Sequence, residues 1–542
     1  MSDWWRGSVT YQVYPRSFQD TDGDGIGDIP GITRRLEHIA GLGVDAVWLS
    51  PVFTSPMADM GYDVSDYTGI DPLFGTLADF DALLDRAHEL GLKVIVDQVI
   101  SHSSDRHPWF QESLRDRTNP KANWYVWADA NPDGSPPNNW VSVFGGSAWE
   151  WDATRRQYYL HNFLTSQPDL NFHEPEVQDA LLDVMRFWLD RGVDGFRLDT
   201  VNYYFHDTGL RSNPPAKPDD DWPPVNTYEM QEHLYSKTRP ENIGFLKRIR
   251  ALVDEYDGRT LVGEVGDTRE RSMGIMGDYT SGGDKLHMAY SFDMLGPDYS
   301  AGHFRSLVTR FFNRASDGWP CWSFSNHDVV RHATRWAENA DTHDGLVKQA
   351  LALLLSLRGS VCLYQGEELG LTETALEFEE LTDPPGIRFW PDYKGRDGCR
   401  TPIPWEADKP HGGFSEVKPW LPVKPPQLAR SVDSVEADPN GSLAFYREMM
   451  RFRKSRPELI TGDIRFLETE EPVLAFIRST DATRTAVVLN LSPLEIDLEI
   501  EGLNLMPNAP VQAAKTGEGS LILGPNGFGY FDAQEDAAIR SA

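Results

Sequence analysis

Eight short apolar runs, each separated from the next by a helical pattern, constrain the fold of this chain more than any other feature. Strands that alternate with helices form a parallel sheet, and eight such units are the number that closes a (β/α)8 TIM barrel. The runs are residues 9–14, 46–50, 92–100, 195–199, 260–265, 288–292, 321–325 and 361–366. We therefore expect an α/β protein built on a TIM barrel.

Two connections are too long for plain loops and predict additional structure. About seventy residues rich in Trp, Pro, Gly and Asn follow the third run, which predicts an inserted subdomain. Residues 371–430 are rich in proline and acidic residues and predict a lid-forming insertion after the eighth strand. From about 461 the pattern changes to short alternating strands, typical of an all-β sandwich. The expected domains are a barrel from 1–102 and 173–460, an inserted subdomain at 103–172, and a C-terminal β-sandwich at 461–542.

Charge and cysteine content exclude several classes of function. The formal net charge of −32 argues against nucleic acid or an anionic membrane as a partner, because both need a basic surface. Three cysteines without C-x-x-C spacing predict neither a disulfide framework nor a thiolate zinc site. There is no apolar run of 18 residues and no secretory signal pattern, so we expect a cytoplasmic protein. We expect a monomer or a small homo-oligomer that acts on a small neutral or cationic ligand.

Polar side chains stand where several of the predicted strands end, at the edge where barrel enzymes place their active sites. They are Asp97 and His102, Arg197 and Asp199, Glu264, and His327 and Asp328. Taken singly, each is more often a helix cap, a structural ion pair or a hydrogen-bonded core residue. Taken together, they provide what cleavage of a glycosidic bond needs. A retaining enzyme requires one ionised nucleophile and one protonated carboxyl about 5–5.5 Å apart.

The surroundings of two of these carboxyls predict different protonation states. Strand alternation puts Arg197 and Asp199 on one face, so the guanidinium should hold Asp199 ionised. Glu264 follows an apolar run, and like-charged neighbours would further raise its pKa.

The loop DTDGDGIGD at 20–28 predicts a metal site near the end of the first strand. It misses the G-x-G-x-x-G spacing of a phosphate-binding turn, and its carboxylates would repel a pyrophosphate. In an EF-hand frame the potential ligands fall on positions 1, 3, 5, 7 and 9, although position 12 lacks the glutamate. These ligands are Asp20, Asp22, Asp24, the Ile26 carbonyl and Asp28. A structural Ca²⁺ or Mg²⁺ is expected there, with a solvated acidic turn as the alternative.

Seven segments in order resemble the motifs of family 13 glycoside hydrolases, the α-amylase family. They are GYDVSDY (61–67), DQVISH (97–102), QPDLN (167–171), GFRLDTVN (195–202), GEV (263–265), FSNHD (324–328) and RDGCRTP (396–402). The resemblance covers nearly the whole chain. The DTDGDGIGD loop also resembles the metal loop of the α-glucosidase and oligo-1,6-glucosidase branch.

The resemblance implies Asp199 as the nucleophile, Glu264 as the general acid/base, and Asp328 as the group that holds the sugar's 2- and 3-hydroxyls. Further residues are implied to surround the same glucosyl unit: Asp63, His102, Arg197, His327 and Arg400. Of these, Asp63 and Arg400 are expected to close the pocket by an ion pair. Phe144 and Phe163 resemble aromatic walls of that pocket, with ordinary packing as the alternative for each.

Departures from the family motifs narrow the expected substrate. Ser101 stands where most of the family has Asn, and Thr200-Val201-Asn202 replaces the Ala and Lys-His pair of amylases. The resemblance then implies an exo-acting, retaining α-glucosidase for short substrates, and Thr200 implies a preference for α-1,4 linkages. The long fourth loop, 203–240, could roof the leaving-group side or be a plain surface excursion.

Three alternatives to hydrolysis remain open within the family. They are a dedicated α-glucosyltransferase, a sucrose or trehalose-type isomerase, and a non-catalytic relative. Some transglucosylation is expected in any case.

Overall fold

The protein is built around a closed parallel barrel. Its structure, a computed structural model, describes residues 3–217 and 224–541. The sheet order, in strands counted along the barrel, is 6-5-4-3-2-1-8-7, and a parallel bridge between Ala289 and Pro320 joins the two ends. The eight strands are Val9–Val13, Ala46–Leu49, Lys93–Gln98, Gly195–Leu198, Thr260–Val265, Met288–Ser291, Cys321–Trp322 and Ser360–Tyr364. The predicted TIM barrel is confirmed.

Helices cover the outside of the barrel, one after each strand. They are Ile29–Leu42, Leu77–Glu89, Pro175–Arg191, Asn242–Val253, Arg269–Thr280, Ala301–Arg314, His343–Ser356 and Ser442–Lys454. Shorter helices lie in the connections: Pro108–Ser113, His332–Arg335, Pro384–Arg388, Pro425–Leu428, Val432–Glu436 and Pro457–Ile460. The first helix shows how the local sequence sets the bounds. Asp28 caps its start by accepting from the Gly31 amide, and Gly43 ends it in a left-handed conformation.

The connection after the third barrel strand contains the expected subdomain. Its three antiparallel strands are Trp127–Ala128, Gln157–Leu160 and Trp149–Asp152, in that order across the sheet. They enclose a separate apolar cluster that includes Trp140, Trp149 and Leu160. A bridge between His102 and Asp169 ties the return of this subdomain to the end of the third strand. A small two-stranded sheet, Phe53–Thr54 with Asp66–Ile70, lies in the preceding connection.

The C-terminal domain is all-β, as predicted. Its strands are Asp463–Phe466, Val473–Ser479, Arg484–Asn490, Ile496–Leu505, Gln512–Gly517 and Ser520–Ser541. All six are connected in one sheet, because the final strand is long enough to pair with three others. Alternation along Val473–Ser479 sends Val473 and Ala475 into the domain's own core and Leu474 and Phe476 into the barrel's core. Both faces of this strand are therefore buried.

Cys321, Cys362 and Cys399 are buried free thiols. The group of potential metal ligands found in the described residues consists of aspartates and contains none of these cysteines. None of the helices in the described part of the chain is long and apolar enough to cross a membrane.

A buried arginine joins the C-terminal domain to the bottom of the barrel. Arg478 is fully buried, and its guanidinium donates to the carbonyl oxygens of Ser356 (2.7 Å), Leu357 (2.8 Å), Leu459 (3.1 Å) and Gly462 (2.9 Å). Two of these carbonyls belong to the end of helix His343–Ser356, where backbone acceptors have no partner within the helix. The side chain thus satisfies buried acceptors of both domains.

Replacing this arginine should destabilise the fold. In Arg478→Met the apolar volume stays but the carbonyls lose their donors, so we expect the free energy of unfolding to fall by about 3 kcal/mol. Urea unfolding followed by circular dichroism measures the change. The control is Arg451→Met, which replaces an exposed arginine and should change the free energy by less than about 0.5 kcal/mol. Equal losses in the two variants would contradict the role given to Arg478.

Candidate active site

The barrel register brings Asp199 and Glu264 side by side. Strands 4 and 5 are paired from Gly195 with Thr260 to Leu198 with Gly263, so the next residue on each strand is Asp199 and Glu264. Neighbouring strands lie about 4.8 Å apart. The Val201 amide donates to the Glu264 carbonyl at 3.0 Å and continues the pairing past the two carboxylates. Adjacent positions on neighbouring strands allow the close approach of two carboxyls that a retaining glycosidase needs.

One guanidinium binds three carboxylates at the base of the site. Arg197 is fully buried, and its Nη1 lies 2.7 Å from Asp97 Oδ1 and 2.7 Å from Asp199 Oδ1. Its Nη2 lies 2.8 Å from Glu264 Oε1. The Tyr290 hydroxyl accepts from Nε and Nη2 at 3.1 and 2.9 Å, which completes the shell around the cation. Three strands therefore converge on a single positive charge.

Burial and crowding raise the pKa of all three carboxyls. Burial is the largest cause, and it raises the pKa of Asp199 to about 7, of Glu264 to about 7 and of Asp97 to about 6. Arg197 acts in the opposite direction on each of them, but it is shared. The sequence correctly predicted the raised pKa of Glu264. The expectation that Asp199 is held ionised treated Arg197 and Asp199 as an isolated pair. Because Arg197 is shared among three carboxyls, it stabilises the ionised form of Asp199 less than such a pair would.

Asp328 has the opposite electrostatic environment. Burial alone would raise its pKa, but the guanidinium groups of Arg396 and Arg400 outweigh burial and hold the pKa below its usual value. Its Oδ1 lies 3.2 Å from Arg396 Nη1 and 3.1 Å from Arg400 Nη2, and its Oδ2 lies 3.3 Å from His327 Nε2. Asp328 is therefore the carboxylate of this group that stays ionised near neutral pH.

The ion pair expected between Asp63 and Arg400 is absent from the described residues. Asp63 is buried away from the cavity and accepts from the Ser55 hydroxyl and the Ala58 and Asp59 amides. Arg400 instead donates to the His327 carbonyl at 2.7 Å and contacts Asp328. The pair that closes the site is Asp59 with Arg396, whose Nη2 lies 2.8 Å from Asp59 Oδ1. Arg396 belongs to the RDGCRTP segment and Asp59 lies two residues before the GYDVSDY segment, so the error concerned which acid and which arginine face the cavity.

These groups open into a cavity of about 510 Å³, the size of a small-ligand site. Eight residues that the sequence singled out line it: His102, Phe144, Phe163, Asp199, Thr200, Glu264, His327 and Asp328. Arg197 lies beneath the carboxylates and Arg400 behind Asp328. Lining residues that sequence reasoning missed include Asp59, Tyr62, Tyr203, Tyr228, Phe292, Phe389, Tyr393 and Arg396. Most of these come from loops without a strand pattern. Tyr62 and Arg396 lie inside recognised motifs, and that position was the signal that could have found them.

Phe144 and Phe163 form one aromatic side of the cavity. Their rings meet edge to face at 5.7 Å, and Phe163 also packs against His102 at 5.1 Å. Burial lowers the pKa of His102 to about 4 and that of His327 to about 3, so both imidazoles are neutral at pH 7. Neutral imidazoles can act as hydrogen-bond donors beside the carboxylates without adding to the positive charge.

Thr200 connects the two central carboxyls through a strained backbone. Its φ of +40° lies in the left-handed region, which a β-branched residue rarely adopts. This conformation points its amide at Glu264 Oε2 (3.0 Å), while its hydroxyl lies 3.3 Å from Asp199 Oδ2. The Ser101 hydroxyl contacts the Thr200 hydroxyl at 2.9 Å and His102 Nδ1 at 2.9 Å. Two departures from the family motifs, Ser101 and Thr200, are therefore in direct contact.

The acidic loop lies outside the cavity. Ligand atoms of Asp20, Asp22 and Asp28 lie within 4.8 Å of one another, which suits chelation of a hard cation; Asp24 is outside this group. The loop also contacts the insertion after the eighth strand, since the Ser415 hydroxyl donates to Asp20 at 2.6 Å and the Trp420 amide donates to the Gly25 carbonyl at 3.0 Å. A cation here would strengthen the connection between the first loop and that insertion.

The chain is similar to known proteins over nearly its whole length. Residues 12–462 match the family model described as the alpha amylase catalytic domain. The chain is 58% identical to a probable alpha-glucosidase of Rhizobium meliloti (strain 1021), over 93% of this chain and 92% of that protein. It is 35% identical to an oligo-1,6-glucosidase of Heyndrickxia coagulans, over 91% of this chain and 93% of that protein.

Two solved structures share the whole architecture. The alpha-glucosyl transfer enzyme XgtA superposes with a TM-score of 0.95 at 51% identity, covering 98% of this chain and 99% of that one. The trehalulose synthase MutB from Pseudomonas mesoacidophila MX-45 superposes with a TM-score of 0.87 at 32% identity, covering 98% of this chain and 100% of that one.

The raised pKa of Glu264 predicts a pH-dependent gain of stability in Glu264→Gln. The pKa rises from 4.5 to about 7 on folding, so this carboxyl stabilises the fold fully below pH 4.5, and the contribution is lost as the pH rises through about 7. Glutamine mimics the protonated acid at every pH. The variant should therefore unfold at a higher urea concentration than the wild type at pH 8, with the difference closing toward pH 4.5.

The control for this measurement is Glu495→Gln, which replaces an exposed carboxyl of the C-terminal domain and should follow the wild type at both pH values. A difference between Glu264→Gln and wild type that is the same at pH 8 and pH 4.5 would show that folding does not raise this pKa.

Proposed function

The chain belongs to the α-amylase family of glycoside hydrolases, and we propose that it is an exo-acting, retaining α-glucosidase that hydrolyses short α-glucosides. The observation that carries this proposal is the pair Asp199 and Glu264, adjacent on neighbouring strands and sharing Arg197. We assign the catalytic and substrate-binding roles of the site residues as part of this proposal.

Asp199 and Glu264, which share the Arg197 guanidinium, have different roles as nucleophile and as general acid/base. Arg197 binds Asp199 Oδ1, which leaves Oδ2 available to attack the anomeric carbon. As that bond forms, the glycosidic C–O bond breaks, and protonated Glu264 gives its proton to the leaving oxygen. The product is a covalent glucosyl-aspartate. Glu264, now ionised, then takes a proton from water, whose oxygen attacks the same carbon and releases glucose and free Asp199.

The surrounding groups hold the glucosyl unit that is transferred. Asp328 stays ionised and accepts hydrogen bonds from sugar hydroxyls, which strengthen as the ring flattens in the transition state. His102 and His327 are neutral and line the cavity beside this unit, and their Nε2 atoms face protein acceptors, the Tyr62 carbonyl at 2.8 Å and Asp328 Oδ2 at 3.3 Å. They therefore position the groups around the sugar. The pair of Asp59 and Arg396 closes the end of the cavity behind this unit, which supports exo action on the terminal glucose.

The opposite side of the cavity supports short substrates. Val225, Asn226, Tyr228 and Glu229 of the fourth loop line it, so the described part of that loop is a wall and not a plain surface excursion. Residues 218–223 of the loop lie outside the described residues. Thr200, beside the nucleophile, supports a preference for α-1,4 linkages such as that of maltose.

Transglucosylation is the second candidate activity. If a sugar hydroxyl replaces water in the second step, the same intermediate gives a new glucoside. The aromatic side chains Tyr203, Tyr228 and Phe292 on the leaving-group side favour binding of an acceptor over free access of water. Similarity to an enzyme described as an alpha-glucosyl transfer enzyme supports this possibility, and similarity to a trehalulose synthase supports isomerisation as a further alternative.

We also propose that the protein is cytoplasmic. Three buried free thiols suit a reducing compartment, which supports a cytoplasmic protein. For the oligomeric state, a monomer or a small homo-oligomer remains the prediction made from the sequence.

The nucleophile assignment predicts the outcome of Asp199→Asn. An amide cannot form the glucosyl ester, so kcat for maltose and for p-nitrophenyl α-glucoside should fall by at least about a thousandfold. Asp497→Asn, an exposed control, should retain wild-type rates. Products from maltose, isomaltose, sucrose, trehalose and maltotriose are resolved in the same assay. Failure of the wild type to release glucose from any of them would refute the hydrolase, and isomeric disaccharides from sucrose would instead identify an isomerase.

We also propose that the carboxylates of Asp20, Asp22 and Asp28 hold a structural Ca²⁺ or Mg²⁺, with Asp24 and the Ile26 carbonyl as further ligands. The bound cation would neutralise the crowded carboxylates and fix the loop on the insertion it contacts. Millimolar Ca²⁺ or Mg²⁺ should raise the thermal midpoint of unfolding and a chelator should lower it, because a ligand of the folded state stabilises that state. Asp22→Asn should abolish both shifts, and Asp497→Asn should retain them. A wild-type midpoint that responds to neither metal nor chelator would leave the solvated acidic turn as the correct interpretation.

A further inference from the structure

The fourth loop, residues 203–240, is fastened to the inserted subdomain along the side of the cavity. The indole nitrogen of Trp140 donates to the Arg211 carbonyl at 2.9 Å, and Asn139 donates to the Asn213 carbonyl at 2.8 Å. Asn226, which lines the cavity, donates to the Val143 carbonyl at 2.7 Å. The described part of the loop is thus held on its outer side by hydrogen bonds from side chains of one segment to backbone carbonyls of the other.

A buried lysine fastens the same loop on its inner side. Lys237 is 4% exposed, and its ammonium donates to Tyr203 Oη (3.1 Å), Tyr228 Oη (2.9 Å) and the Gly266 carbonyl (2.7 Å). All three acceptors belong to residues that line the cavity. The ammonium also lies 4.8 Å from the Tyr203 ring centre and 5.4 Å from that of Tyr228. Three donors meet three acceptors, which offsets the cost of burying the charge.

The backbone next to this lysine is fixed to the barrel. The Thr238 amide donates to the Asn202 carbonyl at 2.6 Å, and its hydroxyl accepts from Asn202 Nδ2 at 2.8 Å and donates to Asp267 at 2.7 Å. Thr238 has a φ of +54°, an unfavourable conformation for a β-branched residue that these contacts maintain. Lys237 therefore projects from a point that cannot easily move relative to strands 4 and 5.

The Tyr228 ring is held from two directions. Its face stacks on His233 with ring centres 3.8 Å apart, and its hydroxyl contacts that of Tyr203 at 2.5 Å. Lys237 occupies both phenol oxygens, so the rings present apolar carbon to the cavity and not free hydroxyls. Without the ammonium, the two phenols would have only each other, and the loop could separate from the end of strand 5.

We propose that Lys237 is the positioning residue that sets the leaving-group side of the cavity. By holding Tyr203 and Tyr228 together against Gly266, it keeps the fourth loop closed behind the second sugar of the substrate. The loop then admits a disaccharide and obstructs longer chains. This inference rests on the proposed α-glucosidase function, because it assigns the wall that meets the leaving group.

Lys237→Met keeps the length of the side chain and removes the donor. The test compares its kcat/KM for α-glucosyl fluoride, maltose and maltotriose with that of the wild type. Loss of charge-assisted hydrogen bonds should lower kcat/KM for maltose by about ten- to a hundredfold, mainly through KM. The leaving fluoride makes no contact with the wall, so activity on α-glucosyl fluoride should fall by a much smaller factor. The ratio of maltotriose to maltose activity should rise.

Matched variants separate positioning from general damage. Lys217→Met makes the same substitution at an exposed lysine of the same loop and should change none of these ratios. Lys237→Arg should recover part of the maltose activity. Tyr228→Phe should shift the ratios in the same direction as Lys237→Met, and its effect should disappear in the Lys237→Met background, as expected for two groups in one contact.

A measurement that needs no activity completes the test. Hydrogen–deuterium exchange of the peptide amides at 224–237 should be faster in Lys237→Met than in wild type, and unchanged in Lys217→Met. Equal loss on α-glucosyl fluoride and maltose, or unchanged exchange in Lys237→Met, would overturn the role of Lys237. A wild type inactive on all three substrates would instead overturn the proposed function, and the exchange rates would still decide whether Lys237 holds the loop.

Discussion

The contact of Arg197 with Asp97, Asp199 and Glu264 is the interaction on which the active site depends. Three parallel strands end with a carboxylate on one fully buried guanidinium, so their register, side-chain direction and ionisation are linked. One cation cannot neutralise three anions, and burial makes the excess charge costly. The site relieves this cost by keeping a proton on one of the carboxyls near neutral pH. A retaining glycosidase needs that arrangement, because its acid must be protonated while its nucleophile is ionised.

The loops around this centre limit the access of water to the three carboxyls and their shared arginine. The inserted subdomain contributes Phe144 and Phe163, the fourth loop contributes Tyr228, and the insertion after the eighth strand contributes Tyr393 and Arg396. These segments are far apart along the chain and meet only above the barrel. The fourth loop is anchored through Lys237, and the insertion after the eighth strand is anchored through the ion pairs of Arg396 with Asp59 and Asp328. A rigid barrel with separately anchored loops can keep one glucosyl site constant while the leaving-group side varies.

The family motifs located the site with good accuracy at the strands and with less accuracy in the loops. The positions of Asp199, Glu264 and Asp328 follow from strand ends and motif order, and all three face the cavity. Around the GYDVSDY and RDGCRTP segments, the sequence did not indicate which acid and which arginine point inward. Asp59 and Arg396 form the ion pair because the turn at 58–63 directs the Asp63 carboxylate back to its own backbone amides. Which side chain points inward depends on the conformation of the loop, and a loop has no regular repeat of side-chain direction that the sequence could indicate.

The sequence by itself determined the barrel, the inserted subdomain, the all-β C-terminal domain and the segments that carry the carboxylates. It could do so because strand and helix patterns and motif order are local properties of the chain. Only the tertiary structure decided the sharing of Arg197, the ion pair that closes the cavity, and the position of the fourth loop. Those features depend on distances between residues that are remote in sequence, and the ionisation of a buried carboxyl depends on every charge and on all the solvent excluded around it.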